Sequence, residues 1–187
     1  MAEKFWTWTA CEIVDALERK EITHLQVLES IEDRYIAVNP ILNALPTTCF
    51  DKAKGIISND IENTISQKKP LFGLPVPIKD SYPVLGVRTS FGSLAFKDFI
   101  PDYSDFVALA LEKSGGVIYA KSNTPEFEAG ASTFNEGFGI TRNPWNIQKS
   151  TAGSSGGAPA SVATGMAFIA QGSDFACSIR YPASFCG

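Results

Sequence analysis

The segment at residues 153–157, with the sequence GSSGG, holds the residue types best suited to chemistry in this chain. A flexible linker is disfavoured because the segment is short and flanked by apolar sequence. A phosphate loop is disfavoured because the Lys-Ser/Thr ending of a Walker motif is missing. A GxSxG nucleophile elbow fits formally with Ser155, but it needs a later histidine and none follows. The fourth interpretation is a glycine-lined turn that places a serine hydroxyl at a helix N-terminus.

The chain has one histidine, His24. Ser-His-Asp and Cys-His sites need an imidazole base, and most catalytic zinc sites use at least one histidine. His24 follows a predicted helix cap in a polar stretch, so we expect it at the surface. Proton transfer is therefore expected to use a lysine or a carboxylate, and we predict no metal site and no cofactor.

Lys79 is the lysine best placed for such a role. It follows an apolar, proline-punctuated stretch at residues 73–78 (GLPVPI), which predicts an extended strand. A lone lysine at a strand end is more often solvated. Burial, however, can depress the lysine pKa by several units from about 10.4, and a neutral lysine accepts a proton.

Five motifs follow one another along the chain: residues 73–80 (GLPVPIKD), 121–126 (KSNTPE), 141–145 (TRNPW), 153–157 (GSSGG) and 172–187 (GSDFACSIRYPASFCG). In their order and spacing they resemble the amidase signature family. Lys79 and Ser154 are 75 residues apart, and Ser154 and Ser178 are 24 apart. Each motif alone is a weak signal, but together they cover most of the chain.

The resemblance implies an α/β fold with a mixed, twisted central β-sheet flanked by helices. Proteins of this family are typically more than twice as long. We therefore expect residues 1–187 to form one amidase-like domain that is the N-terminal portion of a larger one, cut after the motif around Ser178.

The resemblance also implies a Ser-Ser-Lys triad. Ser178 would be the nucleophile, Ser154 the bridging serine in a cis peptide, and Lys79 the base. A neutral Lys79 would accept a proton from Ser154 while Ser154 accepts one from Ser178, so that a relay of two serines replaces imidazole.

The family's oxyanion donors are backbone N–H groups, which correspond here to Phe175, Ala176, Cys177 and Ser178. By the same resemblance, residues 128–131, beginning with Glu128, are expected to line the substrate pocket; the alternative is a surface loop. The family usually has two glycines where this chain has Ala176 and Cys177, and commonly a glycine at Ala152. A Cβ at a position of positive φ costs about 1 to 2 kcal/mol.

The charged residues Asp174 and Arg180 are read as structural supports of the loop that carries Ser178.

Three functions remain open. The first is hydrolysis of a small-molecule carboxylic amide. The second is an inactive, truncated homologue. The third is the glutamine-hydrolysing A-type subunit of a tRNA-dependent amidotransferase, which needs partner subunits. A second copy of this chain, or a missing C-terminal half, is a further expected partner.

Composition excludes several other classes. Apolar residues make up 44% and charged residues 19% of the chain, which is enough for a folded core. The net charge is −4, and the longest basic run is two residues, so direct nucleic-acid binding is disfavoured. Residues 158–170 are the most apolar stretch and fall short of a membrane span. We expect no membrane association, a cytoplasmic location and four reduced cysteines.

The pattern also predicts the elements that position these residues. Capping boxes at Thr9 and Thr23 predict a helix to about Arg19 and another that closes at Asn39-Pro40. Residues 43–47 are expected to be extended, and residues 51–69 permit a helix, interrupted by Gly55.

Further along, Ser104 is expected to cap a helix that ends before Gly115. Residues 117–120 and 167–170 are predicted strands, residues 123–150 are mostly loop, and a helix is expected from about Ala158.

Overall fold

A three-stranded mixed sheet forms the centre of the computed structural model, which describes residues 4–59 and 69–187. The strands are β1 (Thr47–Thr48), β2 (Pro75–Lys79) and β3 (Val117–Ser122), in the order β1-β3-β2. β2 runs parallel to β3, and β1 runs antiparallel to it. Every residue of β2 and β3 is buried, as expected for strands covered on both faces. The expected α/β fold with a mixed sheet is confirmed.

Two amphipathic helices precede the sheet, α1 (Ala10–Glu18) and α2 (His24–Leu42). Both begin with the predicted capping boxes, in which the cap threonine and the third helical residue exchange hydrogen bonds. The predicted end of α2 is wrong, because the helix continues through Pro40. It closes at Asn43 in the left-handed conformation, a common helix end.

Helix α3 (Phe50–Asn59) continues through Gly55, so this glycine does not interrupt it. The remainder of the predicted helix-permissive stretch, residues 60–68, lies outside the described residues.

Helix α4 (Phe106–Lys113) connects β2 to the parallel β3. Its cap is Asp105 rather than the expected Ser104, whose hydroxyl instead accepts the backbone N–H of Leu85. Gly115 follows the helix at φ 89°, where a glycine is free of Cβ strain.

The second half of the chain contains an antiparallel pair that the sequence did not predict. Strands β4 (Phe134–Asn135) and β5 (Gly139–Ile140) lie within the expected loop. Two short helices follow, α5 (Gly157–Ala163), near the expected start, and the unpredicted α6 (Arg180–Cys186).

The predicted strand at residues 167–170 is wrong. This segment runs beside the open edge of β2, where the N–H of Gln171 donates to the carbonyl of Pro77. On that edge Pro75 and Pro77 have no backbone N–H to donate to a neighbouring strand. The N–H of Lys79 donates to the side chain of Gln171 rather than to a backbone carbonyl. A regular ladder therefore cannot form.

Apolar side chains of α2, α3 and β3 pack together as the largest core cluster, which includes the fully buried ring of Tyr119. A second cluster joins α1 and α2 to Leu74, just before β2. A third, including Ile78 and Ile118, packs under α4. The third cluster includes Ile78, the residue before Lys79, and so packs the end of β2 that carries Lys79.

His24 is half-buried rather than exposed as expected. Its Nε2 lies 2.9 Å from the carbonyl oxygen of Phe72, and its ring packs against the Phe72 ring. Burial lowers the pKa of His24, opposed by this hydrogen bond.

Within residues 4–59 and 69–187, no helix is long and apolar enough to cross a membrane.

Candidate active site

Lys79, the last residue of β2, has no solvent-exposed surface. Successive side chains of a strand point to opposite faces, so Lys79 and Asp80 separate. Asp80 turns toward Lys121 of β3, with 3.9 Å between the carboxylate and the ammonium nitrogen. Lys79 faces Ser154 in the turn before α5, Ser173 in the loop after α5, and Glu128 in the turn after β3.

The Nζ atom of Lys79 donates to two serine hydroxyls, Ser154 Oγ at 2.7 Å and Ser173 Oγ at 2.8 Å. It also lies 3.4 Å from Glu128 Oε2. Burial lowers the pKa of Lys79 below its ordinary value, and the nearby carboxylates of Glu128 and Asp174 oppose that shift. The amine is therefore predisposed to lose its proton more easily than a solvated lysine.

Ser154 is buried, and the peptide bond between Gly153 and Ser154 is cis. The glycines after it are required by close packing. A Cβ on Gly156 would lie 2.2 Å from Thr133 Oγ1, and one on Gly157 would lie 2.4 Å from the nitrogen of Asn123. The segment is thus a packed turn leading into α5, which agrees with the fourth interpretation and excludes a flexible linker.

Ser155 and Ser173 belong to the site, but the sequence reasoning gave neither of them a role. The hydroxyl of Ser155 donates to the carbonyl of Ser173 at 3.0 Å and accepts its N–H at 3.2 Å. The hydroxyl of Ser173 donates to Glu128 Oε2 at 2.9 Å. The signal for Ser173 was a further serine within the quoted motif at residues 172–187, five residues before Ser178.

Ser178 is partly exposed and lies just before α6. Its carbonyl accepts the N–H of Ser155 at 3.1 Å, which ties the two loops together. A cleft of about 500 Å³ brings most of the predicted site residues to one place. It is lined by Tyr82, Glu128, Ser154, Ser173, Asp174, Phe175, Ala176 and Ser178.

Lys79 lies beneath this cleft and reaches it through Ser154. In the described part of the chain, no direct hydrogen bond joins the hydroxyls of Ser154 and Ser178.

Asp174 organises the loop that carries Ser178. Its carboxylate accepts the N–H groups of Cys177, Ile179 and Arg180, at 2.8, 3.2 and 3.1 Å. The Arg180 side chain adds two further bonds, at 2.9 and 3.0 Å. These bonds, foremost those from the Arg180 side chain, hold the pKa of Asp174 well below its usual range. The loop-supporting role expected for this pair agrees with the geometry.

The four backbone N–H groups predicted as oxyanion donors differ in whether they already have an acceptor. The N–H of Cys177 is used by Asp174. Those of Phe175, Ala176 and Ser178 have no acceptor among the described residues. Cys177 has a φ of 71°, so one of the two family glycine positions does require the left-handed conformation.

Ala152, at a further position where the family commonly has glycine, has a φ of 58°.

The four cysteines, Cys11, Cys49, Cys177 and Cys186, are free thiols. No group of three His, Cys, Asp or Glu side chains in the described ranges is arranged to hold a metal ion.

Taken together, these contacts define an α/β protein with a buried lysine that is hydrogen-bonded to serines in a cleft. The sequence profile of the amidase family matches residues 26–187. The chain belongs to this family, the amidase-signature family that its motifs resemble.

Individual relatives agree with this assignment. The chain is 41% identical over 187 residues to the A-type subunit of glutamyl-tRNA(Gln) amidotransferase from Heliobacterium modesticaldum. That match covers 98% of this chain and 38% of the relative.

Among solved structures, 6-aminohexanoate cyclic dimer hydrolase with its substrate superposes with a TM-score of 0.88 at 31% identity, covering 99% of this chain and 37% of that one. Fatty acid amide hydrolase superposes with a TM-score of 0.91 at 26% identity, covering 100% and 34%. The chain therefore spans somewhat more than a third of the length of these relatives.

Proposed function

We propose that this chain carries the catalytic centre of an amidase, which hydrolyses carboxylic amide C–N bonds through an acyl-enzyme on Ser178. The observation that carries the proposal is the 2.7 Å hydrogen bond from buried Lys79 Nζ to Ser154 Oγ, because Ser154 and Ser178 line the same cleft. Family membership supports the same reaction class.

In the proposed first step, neutral Lys79 takes the proton of Ser154 while Ser154 takes that of Ser178. Ser178 Oγ then forms a bond to the amide carbon, and the carbonyl π electrons move onto oxygen. The backbone N–H groups of Ala176 and Ser178 have no other acceptor among the described residues and could donate to this oxyanion. One such donor contributes about 2.7 to 4 kcal/mol in other hydrolases.

The intermediate then collapses. The C–N bond breaks as the proton held on Lys79 returns through Ser154 to the leaving nitrogen, which departs as ammonia or an amine. Water completes the reaction by the same relay, which frees the carboxylic acid and restores Ser178. Proton and charge balance at every step without metal or cofactor.

The nucleophile is tested by incubating the purified chain with a fluorophosphonate, followed by intact-mass measurement and peptide mapping. We expect one adduct on Ser178, lost in Ser178→Ala and strongly slowed in Lys79→Ala. Ser184→Ala is the matched control, because Ser184 is exposed on the adjacent helix α6 and should not affect labelling. A chain that stays unlabelled at Ser178 would contradict the proposal and favour an inactive homologue.

A second candidate function is the glutamine-hydrolysing component of a tRNA-dependent amidotransferase. The observation in its favour is the 41% identity to the A-type subunits of such enzymes. Under this hypothesis, ammonia release from glutamine rises strongly when partner subunits are added, whereas simple amides are hydrolysed poorly with or without them. If the chain alone hydrolyses simple amides as fast as it does with partner subunits present, the result would favour the first candidate.

The Ser-Ser-Lys assignment, the substrate-lining role of Glu128, the single-domain boundary, the partners and the cytoplasmic location stay predictions.

A further inference from the structure

Glu128 lines the cleft and places a carboxylate directly against the proposed base. Its Oε2 lies 3.4 Å from Lys79 Nζ and accepts the hydroxyl of Ser173 at 2.9 Å. Ser173 in turn accepts from Lys79 at 2.8 Å. The three side chains thus form a closed triangle, in which Lys79 is fully buried and Glu128 is partly open to solvent, at 31%.

The backbone holds Glu128 in this position at a conformational cost. Phe127 and Glu128 have φ of 49° and 62°, in the left-handed region that residues with a Cβ seldom adopt. The N–H of Phe127 donates to the carbonyl of Phe91 at 2.8 Å, and that of Glu128 to Pro125 at 3.0 Å. Such conformations persist where the surroundings fix them, often at functional sites.

We propose that Glu128 is a positioning residue for Lys79, which restrains the amine through Ser173 and sets how readily it gives up its proton. The proposal rests on the proposed function, since it assigns Lys79 the role of base. It goes beyond a substrate-lining role, because Glu128 acts here on the base itself.

The charges around Lys79 determine the direction of the effect. Two carboxylates act on it, Glu128 from the turn after β3 and Asp174 from the loop after α5. Asp174 is engaged by Arg180 and three backbone N–H groups. Tyr82, from the segment after β2, also lines the cleft. A carboxylate beside an ammonium stabilises the charged form, so Glu128 opposes the burial that favours neutral Lys79.

The test measures the protonation of Lys79 directly. The chain is prepared with 13C-labelled lysine Cε carbons, and the Lys79 resonance is identified by its loss in Lys79→Met. We expect the titration midpoint of Lys79 to fall by about one pH unit or more in Glu128→Gln. Glu126→Gln is the matched control, because Glu126 lies on the same turn but binds Ser93. In this variant the titration midpoint of Lys79 should equal that of the wild type.

An unchanged midpoint in Glu128→Gln, or an equal shift in Glu126→Gln, overturns the proposal. Should Glu128→Gln fail to fold, as judged by circular dichroism, Glu128→Asp decides in its place. Aspartate keeps the negative charge but holds it farther from Lys79, because its side chain is one methylene shorter. The titration midpoint of Lys79 must therefore fall, by less than is expected for Glu128→Gln, and an unchanged midpoint overturns the proposal.

The rate of fluorophosphonate labelling of Ser178 against pH is the second readout. The acid limb of that profile should move to lower pH in Glu128→Gln by the same amount as the Lys79 midpoint, and a limb that stays in place overturns the proposal. If Ser178 is unlabelled in every variant at every pH, the proposed function fails. The resonance titration then still decides the effect of Glu128 on Lys79, so the two failures are distinguishable.

Discussion

Asp174 accepts the backbone N–H of Cys177 at 2.8 Å, and Cys177 has a φ of 71° immediately before Ser178. This one contact links the shape of the loop to the chemistry proposed for it. It accompanies a residue with a Cβ in a conformation that favours glycine, and it occupies the N–H of Cys177. Of the backbone N–H groups proposed as oxyanion donors, those of Phe175, Ala176 and Ser178 have no acceptor among the described residues.

The first prediction concerns the strain at Cys177. Cys177→Gly should raise the free energy of unfolding by up to about 1 kcal/mol. Removing the Cβ relieves about 1 to 2 kcal/mol of strain in the folded state, and the higher conformational entropy of glycine in the unfolded chain offsets part of that stabilisation. Ala176→Gly is the control, since Ala176 is not at positive φ. This substitution should lower the free energy of unfolding by about 0.4 to 1 kcal/mol. Urea unfolding followed by tryptophan fluorescence measures both. Equal losses in the two variants would contradict this account.

The second prediction concerns Asp174. In Asp174→Asn the amides of Cys177, Ile179 and Arg180 should exchange with deuterium about tenfold faster or more at pH 7, because hydrogen bonds to a charged acceptor are lost. Because the folded pKa of Asp174 lies below its unfolded value, the wild-type loop should stay protected above about pH 4 and lose protection only in stronger acid. Mass spectrometry measures the exchange.

Asp98→Asn is the control for this experiment, since Asp98 is exposed and 3.9 Å from Lys97. Unchanged exchange in Asp174→Asn would show that the loop does not depend on its carboxylate.

The third prediction is a pH dependence of stability at His24. Burial holds the folded pKa of His24 below its ordinary value of about 6.5. Below that pH the unfolded chain binds more protons than the folded chain, so His24 destabilises the fold as pH falls. Between pH 7 and pH 5, the free energy of unfolding of the wild type should fall relative to that of His24→Gln, by less than about 1 kcal/mol. A stability difference between the two proteins that is independent of pH would refute this.

The fourth prediction concerns the second buried lysine, Lys121. Burial lowers its pKa to about 8, and it lies 3.9 Å from buried Asp80. Lys121→Met should lower the free energy of unfolding by about 3 to 5 kcal/mol, because it leaves the Asp80 carboxylate buried without its partner. Adding Asp80→Asn should recover part of the loss. Lys113→Met, on the exposed end of α4, should change stability little when compared by thermal unfolding.

Much of the local structure could be predicted from local patterns. The capping boxes at Thr9 and Thr23 predicted the starts of α1 and α2 because cap hydrogen bonds join residues only three apart. An apolar, proline-punctuated stretch likewise predicted β2, and a β-branched and aromatic run predicted β3. The prediction that α2 ends at Pro40 is wrong, because Leu42 in the last turn packs into the largest core cluster and outweighs the local helix breaker.

Other features depended on partners distant in the sequence. The apolar run at residues 167–170 has strand composition, yet the edge it meets carries Pro75 and Pro77 and cannot complete a ladder. The half-burial of His24 likewise depends on the chain around Phe72, 48 residues away.

The sequence by itself determined the family, through the spacing of Lys79, Ser154 and Ser178 and the motifs around them, because spacing within motifs is a property of the chain alone. Only the tertiary structure decided which groups meet. It sent Lys79 and its neighbour Asp80 to opposite sides of the sheet and brought Ser173 and Glu128 against Lys79. The physical reason is that burial and charge pairing at Lys79 arise from loops distant in the chain, which converge only when the sheet and α5 pack together.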